Sequence, residues 1–212
     1  MSDSNVKLVL ASASPRRLGL LEQAGLTPDL LNPVDLDETQ RRRETPRALS
    51  LRLATEKAKA ALEAPMVKAL GSPPFVVAAD TVVAAGRRVI GKPENVSQAA
   101  DALSLLSGRS HKVFTSVCLI TPGGNTRSRV VETRVRFKRL SRDEIESYLA
   151  SDEWRGKAGG YAIQGRAGAF VRMLTGSYSA VVGLPLYETV SLLQGAGYPV
   201  YFSWMNAATE YA

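Results

Sequence analysis

Short apolar runs and amphipathic segments alternate along the first part of the chain, with glycine or proline near most of the changes between them. Residues 7–11 are an apolar run of strand length, and a helix is predicted to begin near Pro15 and to end just before Gly25. Residues 29–32 favour a second strand, whereas 33–45 mix acids with arginines and predict a loop. The chain therefore opens with a strand, a helix and a strand.

A second helix and a hairpin follow. Apolar residues recur at helical spacing over 46–64, where Thr45 suits the N-cap and Pro65 marks the end of the helix. Residues 75–79 resume a buried strand, and 81–90 predict a hairpin. The alternation of strands and helices is thus maintained through the first half of the chain.

The rest of the chain adds another hairpin and further helices. The predicted elements are a helix over 96–106, paired strands over 112–121 and 127–140, a helix over 141–150, a strand over 170–174, a helix over 185–194 and a terminal strand over 198–203. The glycine-rich stretch 154–168 predicts irregular loops. This pattern predicts an α/β protein with a mixed sheet, and because no linker divides residues 1–212 we expect one domain.

Composition and charge narrow the class of protein. Apolar residues make up 45% and charged residues 22% of the chain, which is ordinary globular usage and argues against disorder. The formal net charge of +7 favours a polyanionic partner such as a nucleotide, a nucleic acid or a membrane headgroup. The single cysteine cannot form an internal disulfide, and no apolar segment has the length of a membrane span or a signal-peptide core. We expect a soluble, cytoplasmic protein with no membrane partner.

The segment Ser12-Ala-Ser-Pro-Arg-Arg17, between the first strand and helix, is a candidate anion site. Ser14 suits the N-cap and Pro15 the first helical turn, so free backbone N–H groups point away from the end of the sheet. Arg16 and Arg17 add bidentate donors, which is the arrangement that a phosphate needs. A capped helix with two solvated arginines is an equally good interpretation of these residues alone.

Asp80 is the second candidate, because we expect it where an apolar strand ends. A carboxylate in such a run is costly unless it is paired, hydrogen-bonded or bound to a metal, although capping a turn is its commoner role. Lys57 falls late in a predicted helix, where surface pairing is the default, and Lys92 in Gly91-Lys-Pro93 is also explained by a loop bend.

Acids and the single histidine limit the metal chemistry. Asp35, Asp37 and Glu38 form an acidic group that, taken alone, is typical of a solvated loop. With His111 and Cys118 as the only residues of their types, a structural zinc site is excluded. A metal would have to be oxygen-bound, held by Asp and Glu together with substrate phosphates.

Two glycine-rich clusters, at 156–165 and 176–185, allow the backbone to approach a ligand closely. Lys157, Gln164 and Ser177 are their candidate polar contacts. A pair of tight loops packed over the sheet would explain each cluster separately. Their occurrence in one chain with the arginine loop and the acids favours a ligand site.

At this point the sequence resembles the Maf family of nucleoside triphosphate pyrophosphatases. The resemblance covers nearly the whole chain and rests on six ordered motifs. They are Leu10-Ala-Ser-Ala-Ser-Pro-Arg-Arg17, Ala79-Asp-Thr-Val-Val83, Gly91-Lys-Pro93, Leu106-Ser-Gly-Arg-Ser-His111, Lys157-Ala-Gly-Gly-Tyr-Ala-Ile-Gln-Gly165 and Gly176-Ser-Tyr-Ser-Ala-Val-Val-Gly-Leu-Pro185.

This resemblance implies a fold, a reaction and a set of roles. The fold would be an elongated mixed sheet flanked by helices, like that of inosine triphosphate pyrophosphatase, with a central nucleotide cleft. The reaction would be metal-assisted hydrolysis of a nucleoside triphosphate to a monophosphate and pyrophosphate, with Mg²⁺ or Mn²⁺. Asp80 would accept the proton of the attacking water and help to hold the metal, together with Glu38 or Asp37. The substrate-binding residues would be Ser12, Arg16, Arg17, Lys57, Lys92 and Lys157.

The resemblance also implies a choice of nucleotide. Within the family this choice follows three positions, which here are Arg16, Thr81 and Gln164, and the chain is similar to the branch that acts on dTTP and UTP. The neutral amide of Gln164 offers both a donor and an acceptor to a pyrimidine edge. Gly156 departs from the family pattern, which usually has Asp there, so that a contact of this Asp with the lysine or a metal-bound water is either absent here or replaced by Asp152 or Glu153.

Two other hypotheses stay open at this point. One is a nucleic-acid-binding or septum-formation regulatory protein without turnover, which would use Arg41–Arg43 and the basic strand at 127–139. Its basic residues are dispersed and are not interleaved with aromatic residues, so we expect no nucleic-acid partner. The other is an inactive relative, which the retained Asp80 and Lys92 disfavour. The resemblance further implies a homodimer.

Overall fold

A mixed sheet organises residues 6–201, the part of the chain that the computed structural model describes. Its seven strands are β1 (Leu8–Leu10), β2 (Leu30–Leu31), β3 (Phe75–Ala85), β4 (Arg88–Ile90), β5 (Ser110–Ile120), β6 (Thr126–Phe137) and β7 (Val171–Thr175). Their order is β2-β1-β3-β5-β6-β7, with β4 paired to β3. β1 pairs parallel with β2 and β3, and the other pairs are antiparallel.

The helices begin and end where local chemistry directs them. They are α1 (Pro15–Gln23), α2 (Pro46–Glu63), α3 (Pro65–Lys68), α4 (Val96–Leu106), α5 (Arg142–Ala150), α6 (Tyr178–Val182) and α7 (Leu186–Gly195). The Thr45 side chain accepts from the Ala48 N–H at the start of α2, and Ser141 with Glu144 forms a complete capping box on α5. Pro65 ends α2 as predicted, and it also begins the short α3, because proline fits the first helical position.

Two layers of apolar side chains pack on the sheet. The larger core includes Phe137, Tyr148 and Trp154, each at most 2% exposed. The smaller one joins three alanines of α2 (Ala54, Ala58 and Ala61) to Cys118 and other small residues of β3 and β5. Because these side chains are short, α2 lies close to the sheet and brings its other inward-facing residues near β3.

Most of the predicted elements are confirmed, and the mixed α/β class with them. The terminal strand predicted at 198–203 is wrong over its described part, because residues 198–201 form no strand. The Val200 N–H bonds the Tyr198 carbonyl at 2.9 Å, and this tight turn buries Val200 without strand pairing. Positions 202–203 lie outside the described residues. The helix α6 was not predicted, because five residues show no helical period.

No helix within residues 6–201 combines the length and the apolar character that a bilayer crossing demands.

His111 is buried among aromatic rings near the start of β5. It is 2% exposed, and its Nε2 lies 2.8 Å from the Tyr161 hydroxyl. The rings of Phe137 and Tyr161 meet it edge to face, at 5.1 and 5.4 Å. Burial lowers the pKa of His111 to about 4. The histidine is therefore neutral near pH 7 in the folded protein, where it is hydrogen-bonded to Tyr161.

This burial should make stability depend on pH. The unfolded chain binds a proton at His111 near pH 6.5, but the folded chain does not until about pH 4. Above pH 6.5 His111 is neutral in both states, so the folded protein keeps its full stability. As the pH falls towards 4, only the unfolded chain takes up the proton, and the free energy of unfolding therefore decreases. We expect wild type to lose about 3 kcal/mol more than His111→Gln over this interval in urea titrations. Equal pH slopes for the two proteins would contradict this assignment.

Candidate active site

A cleft of about 580 Å³ gathers side chains from the arginine loop, α2, β3 and the two glycine-rich clusters. Ten of the predicted site residues line it: Ser12, Arg16, Arg17, Glu38, Lys57, Asp80, Thr81, Lys92, Lys157 and Gln164. Ser177 does not, because its side chain caps α6 by accepting the Ala180 N–H at 3.2 Å. Asp37 does not line the cleft, because its carboxylate accepts the Thr39 N–H at 2.9 Å. Of the two acids that the sequence left open, Glu38 is the one that faces the cleft.

Asp80 lies in the middle of β3, so its predicted place at the end of a strand is wrong. β3 continues to Ala85, where it turns into β4, and Asp80 pairs in register with Ser116 of β5. The cause is long-range pairing, since β5 supplies partners along most of β3. Asp80 shares its face of the sheet with Ala78, which packs against α2, and it is 5% exposed.

An ion-pair chain surrounds this buried carboxylate. The Lys57 ammonium, from the inner side of α2, lies 2.6 Å from Asp80 Oδ1 and 2.5 Å from Glu38 Oε1. The Lys92 ammonium lies 2.7 Å from the other oxygen of Glu38. Partial burial acts to raise the pKa of Glu38, but the hydrogen bonds from Lys57 and Lys92 outweigh it and lower that pKa to about 2. Glu38 is therefore fully ionised near neutral pH.

Arg17 is held at several points from both sides of the cleft. Its Nε donates to the Gly183 carbonyl at 2.9 Å, and its Nη1 lies 3.3 Å from the Ser12 hydroxyl. The Ser12 oxygen also accepts the Ser14 N–H at 3.1 Å. Ser14 is the N-cap of α1 as predicted, but its own side chain makes no capping hydrogen bond. The loop thus fixes the guanidinium beside the start of a helix.

Three cations of the cleft have no ion-pair partner within the described residues. Among residues 6–201, no carboxylate makes a salt bridge to Arg16, Arg17 or Lys157. Burial lowers the pKa of Lys157, and the charge of Arg16 lowers it further. Burial likewise lowers the pKa of Arg16, with Arg17 adding to the effect. A bound anion would relieve this repulsion, so the arrangement suits a phosphate chain.

Thr81 and Gln164 supply neutral polar groups to the same cleft. The Thr81 hydroxyl lies 3.1 Å from that of Thr115, which donates to the Ala180 carbonyl at 2.6 Å. Gln164 has an exposed side chain in the first glycine-rich cluster, at 156–165. These two residues offer donors and acceptors without charge, which a nucleobase edge can use.

A close backbone contact joins two loops of the cleft. The Gly159 N–H donates to the Gly91 carbonyl at 3.0 Å, and a Cβ at position 159 would lie 2.9 Å from Val83 Cγ1. Gly159 also has a φ of +74°, which side chains rarely adopt. This contact brings the loop that carries Lys157 against the loop that carries Lys92.

Neither acid near Gly156 makes an ion pair with Lys157. Asp152 pairs with Arg155 at 2.9 Å, and Glu153 pairs with Arg166 at 2.7 Å. The Lys157 ammonium instead donates to the Arg155 carbonyl at 2.9 Å. Of the two outcomes that the sequence left open, an ion pair of Lys157 with Asp152 or Glu153 is therefore not formed, because both carboxylates pair with arginines.

Sequence reasoning also missed residues that line the cleft. Arg155 is a further cation, and its guanidinium lies 4.4 Å above the centre of the Trp154 ring. Tyr161 and Val83 add apolar surface. Arg155 could have been predicted, because it is only two positions from Lys157 in the sequence. Val83 could not, because its pattern is that of any buried strand residue.

The donor set fits a hard divalent cation. Glu38 and Asp80 share the Lys57 ammonium as a hydrogen-bond partner, so their carboxylates are neighbours. Residues 6–201 contain no group of three or more His, Cys, Asp or Glu side chains arranged to hold a metal. Two carboxylates suit Mg²⁺, which commonly takes its other ligands from phosphates and water.

The fold and the cleft together define an α/β protein with a cation-rich cleft around a buried carboxylate. A family model described as Maf-like protein matches residues 7–196, and the chain belongs to the Maf family.

Similar proteins carry names that agree with the activity expected from the sequence. The dTTP/UTP pyrophosphatase of Mesorhizobium japonicum is 61% identical over 201 residues, which cover 95% of this chain and 97% of the relative. The dTTP/UTP pyrophosphatase of Rhizobium meliloti is 60% identical over 94% of this chain and 97% of its own length. That of Bradyrhizobium diazoefficiens is 59% identical over 95% of this chain and 96% of its own length.

Solved structures overlap the chain less completely. The Ham1 protein of Staphylococcus aureus covers 62% of this chain and 71% of its own, with 17% identity and a TM-score of 0.41. A HAM1 protein from Coxiella burnetii covers 65% and 75%, with 17% identity and a TM-score of 0.43. The fold assignment therefore rests on the sheet and helices of this chain.

Removing the Lys57 ammonium should destabilise the fold. We expect Lys57→Met to lower the free energy of unfolding by about 3–5 kcal/mol, because it leaves the Asp80 carboxylate buried without its cation. Urea denaturation measures this loss. Adding Asp80→Asn to Lys57→Met should recover part of it, since the unpaired charge is then gone. No recovery in the double variant would show that the ion pair is not the source of the loss.

Proposed function

We propose that the chain hydrolyses dTTP and UTP to their monophosphates and pyrophosphate. Membership of the Maf family and the names of relatives about 60% identical support this reaction. The observation that carries it is the division of charge in the cleft. Asp80 and Glu38 neutralise Lys57 and Lys92, while Arg16, Arg17 and Lys157 lie beside them and have no ion-pair partner within residues 6–201.

This division of charge matches a nucleoside triphosphate, whose phosphate chain needs cations and whose α-phosphorus needs a carboxylate nearby. A nucleoside triphosphate carries about four negative charges near neutral pH, and phosphate hydrolysis depends mainly on positioning and charge neutralisation. Arg16, Arg17 and Lys157 bind the phosphate chain with the Ser12 loop. The α-phosphorus then lies towards Asp80, at the end of the cleft that holds the carboxylates.

Asp80 acts as the base in this mechanism. A water oxygen attacks the α-phosphorus, the bond from that phosphorus to the bridging oxygen breaks, and pyrophosphate leaves with that oxygen. Asp80 accepts the proton that the water loses. The Lys57 ammonium, 2.6 Å from Asp80 Oδ1, holds the carboxylate in place.

Glu38 and Asp80 are the residues that would hold Mg²⁺ or Mn²⁺, completed by phosphate oxygens and water. When bound, such an ion supplies charge neutralisation and a lowered water pKa. Lys92 supports Glu38 through its 2.7 Å ion pair, so that this acid keeps its orientation towards the cleft.

Pyrimidine selection uses Arg16, Thr81 and Gln164. A neutral amide and a hydroxyl can pair with the carbonyl oxygen and N–H of uracil or thymine, whereas a carboxylate would favour a donor-rich or cationic base. We retain two further predictions that accompany this function, a cytoplasmic location and a homodimer.

The alternative is a nucleic-acid-binding regulator. Its support is weaker, because two of the basic residues that it needs have local partners. Arg41 pairs with Glu56 at 3.0 Å, and Arg127 donates to the Gly195 carbonyl at 2.7 Å.

Asp80→Asn tests the assigned base. We expect kcat for UTP to fall by roughly 100-fold or more, since the amide cannot accept the proton. Nucleotide binding and the fold should persist, because Lys57 keeps its 2.5 Å partner Glu38. Pyrophosphate release gives the rate, and calorimetry with a non-hydrolysable analogue gives the affinity. Near-normal turnover would remove Asp80 from this role.

A panel of nucleoside triphosphates tests the substrate class. With Mg²⁺ or Mn²⁺, we expect pyrophosphate from dTTP and UTP at kcat/KM values at least roughly tenfold above those for purine nucleotides. DNA affinity measured at rising salt is the comparison. Steeply salt-dependent DNA binding without pyrophosphate release from any nucleotide would favour the regulator instead.

A further inference from the structure

Gln164 lies in a tight turn over residues 162–165. The Gly165 N–H donates to the Ala162 carbonyl at 3.0 Å, which closes the turn. The Gln164 side chain is exposed and lines the cleft, whereas Ala162 and Ile163 before it are 5% and 6% exposed. The position of the Gln164 side-chain amide in the cleft therefore depends on the backbone on either side of this residue.

Tyr148 fixes the start of this turn. The Ala162 N–H donates to the Tyr148 hydroxyl at 3.0 Å, in a buried hydrogen bond. Tyr148 is the buried residue of α5, and its ring packs against Phe170 at 5.4 Å. Tyr161, one residue earlier, has its hydroxyl 2.8 Å from His111. A rigid aromatic core thus holds the backbone that enters the turn.

Glu153 fixes the end of the turn. Its Oε2 accepts the Arg166 N–H at 2.8 Å, and its Oε1 pairs with the Arg166 guanidinium at 2.7 Å. The carboxylate lies so close to Gly165 that a Cβ at that position would collide with Oε2. A side chain at position 165 would therefore have to displace the Glu153 carboxylate from this place.

We propose that Tyr148 and Glu153 are positioning residues that set pyrimidine selectivity by holding the turn that presents Gln164. Neither side chain lines the cleft, so neither touches the nucleotide directly. An amide discriminates between base edges only when its backbone is held within a fraction of an ångström. This inference rests on the proposed pyrophosphatase function and names the residues that tune it.

The test compares Tyr148→Phe and Glu153→Gln with wild type on UTP, CTP and GTP. We expect the ratio of kcat/KM for UTP over each competitor to fall by roughly fivefold in both variants. KM for UTP should rise, while kcat should change less than about twofold because the phosphate end of the cleft is untouched. Glu146→Gln on α5 and Tyr187→Phe, both exposed, are the matched controls and should leave the ratios unchanged.

A double-variant comparison separates positioning from general destabilisation. Gln164→Ala alone should lower the selectivity, and adding Glu153→Gln should then lower it no further, since the amide that the turn presents is gone. Unchanged ratios in the single variants, or an equal further loss in the Gln164→Ala background, would overturn the proposal. So would a loss of kcat of similar size with every nucleotide.

Hydrogen exchange gives a readout that does not need turnover. We expect the amide of residue 162 to exchange faster in Tyr148→Phe and that of residue 166 to exchange faster in Glu153→Gln. Slow exchange at both amides would show that Tyr148 and Glu153 do not hold the turn. Wild type that releases no pyrophosphate from dTTP or UTP would refute the proposed function instead. The two failures are therefore distinguishable.

Discussion

The buried ion pair between Lys57 and Asp80 is the constraint on which the cleft depends. Neither charge could lie in the interior alone, because an unpaired buried charge costs several kcal/mol. Lys57 shares the inner face of α2 with Ala54 and Ala58, whose small side chains allow the helix to lie against the sheet. The packing of α2 and the pairing of the two charges thus require the same docking of helix on sheet. Glu38 extends this pairing to the preceding loop.

Around that pair, the cleft separates cations that are neutralised from cations that are not. Lys57 and Lys92 are matched by acids, and they shape the site before any ligand contributes charge. The fold brings Arg16 close enough to Lys157 to lower the pKa of that lysine, and within the described part of the chain neither has an ion-pair partner. An arrangement of this kind favours a substrate whose own charge completes the site, as a triphosphate does.

Features set by neighbours along the chain could be predicted, whereas features set by distant pairing could not. Thr45 and Pro65 mark the ends of α2 in the sequence as in the structure, because caps and proline act locally. The central position of Asp80 depends on β5, more than thirty residues later. Spacing could not separate Glu38 from Asp37 either, since adjacent loop residues differ only in the direction that the fold gives them. The partner of Glu153 depended likewise on the return of the chain at Arg166.

Cys118 lies beneath α2, in the same small-residue layer that brings the helix to the sheet. It is fully buried, and burial raises the pKa of its thiol. It is also the single cysteine of the chain. A thiol reagent can reach it only when α2 lifts from β5, so the rate of alkylation reports how often the helix that carries Lys57 detaches. The chain thus contains its own probe for local opening at the wall of the cleft.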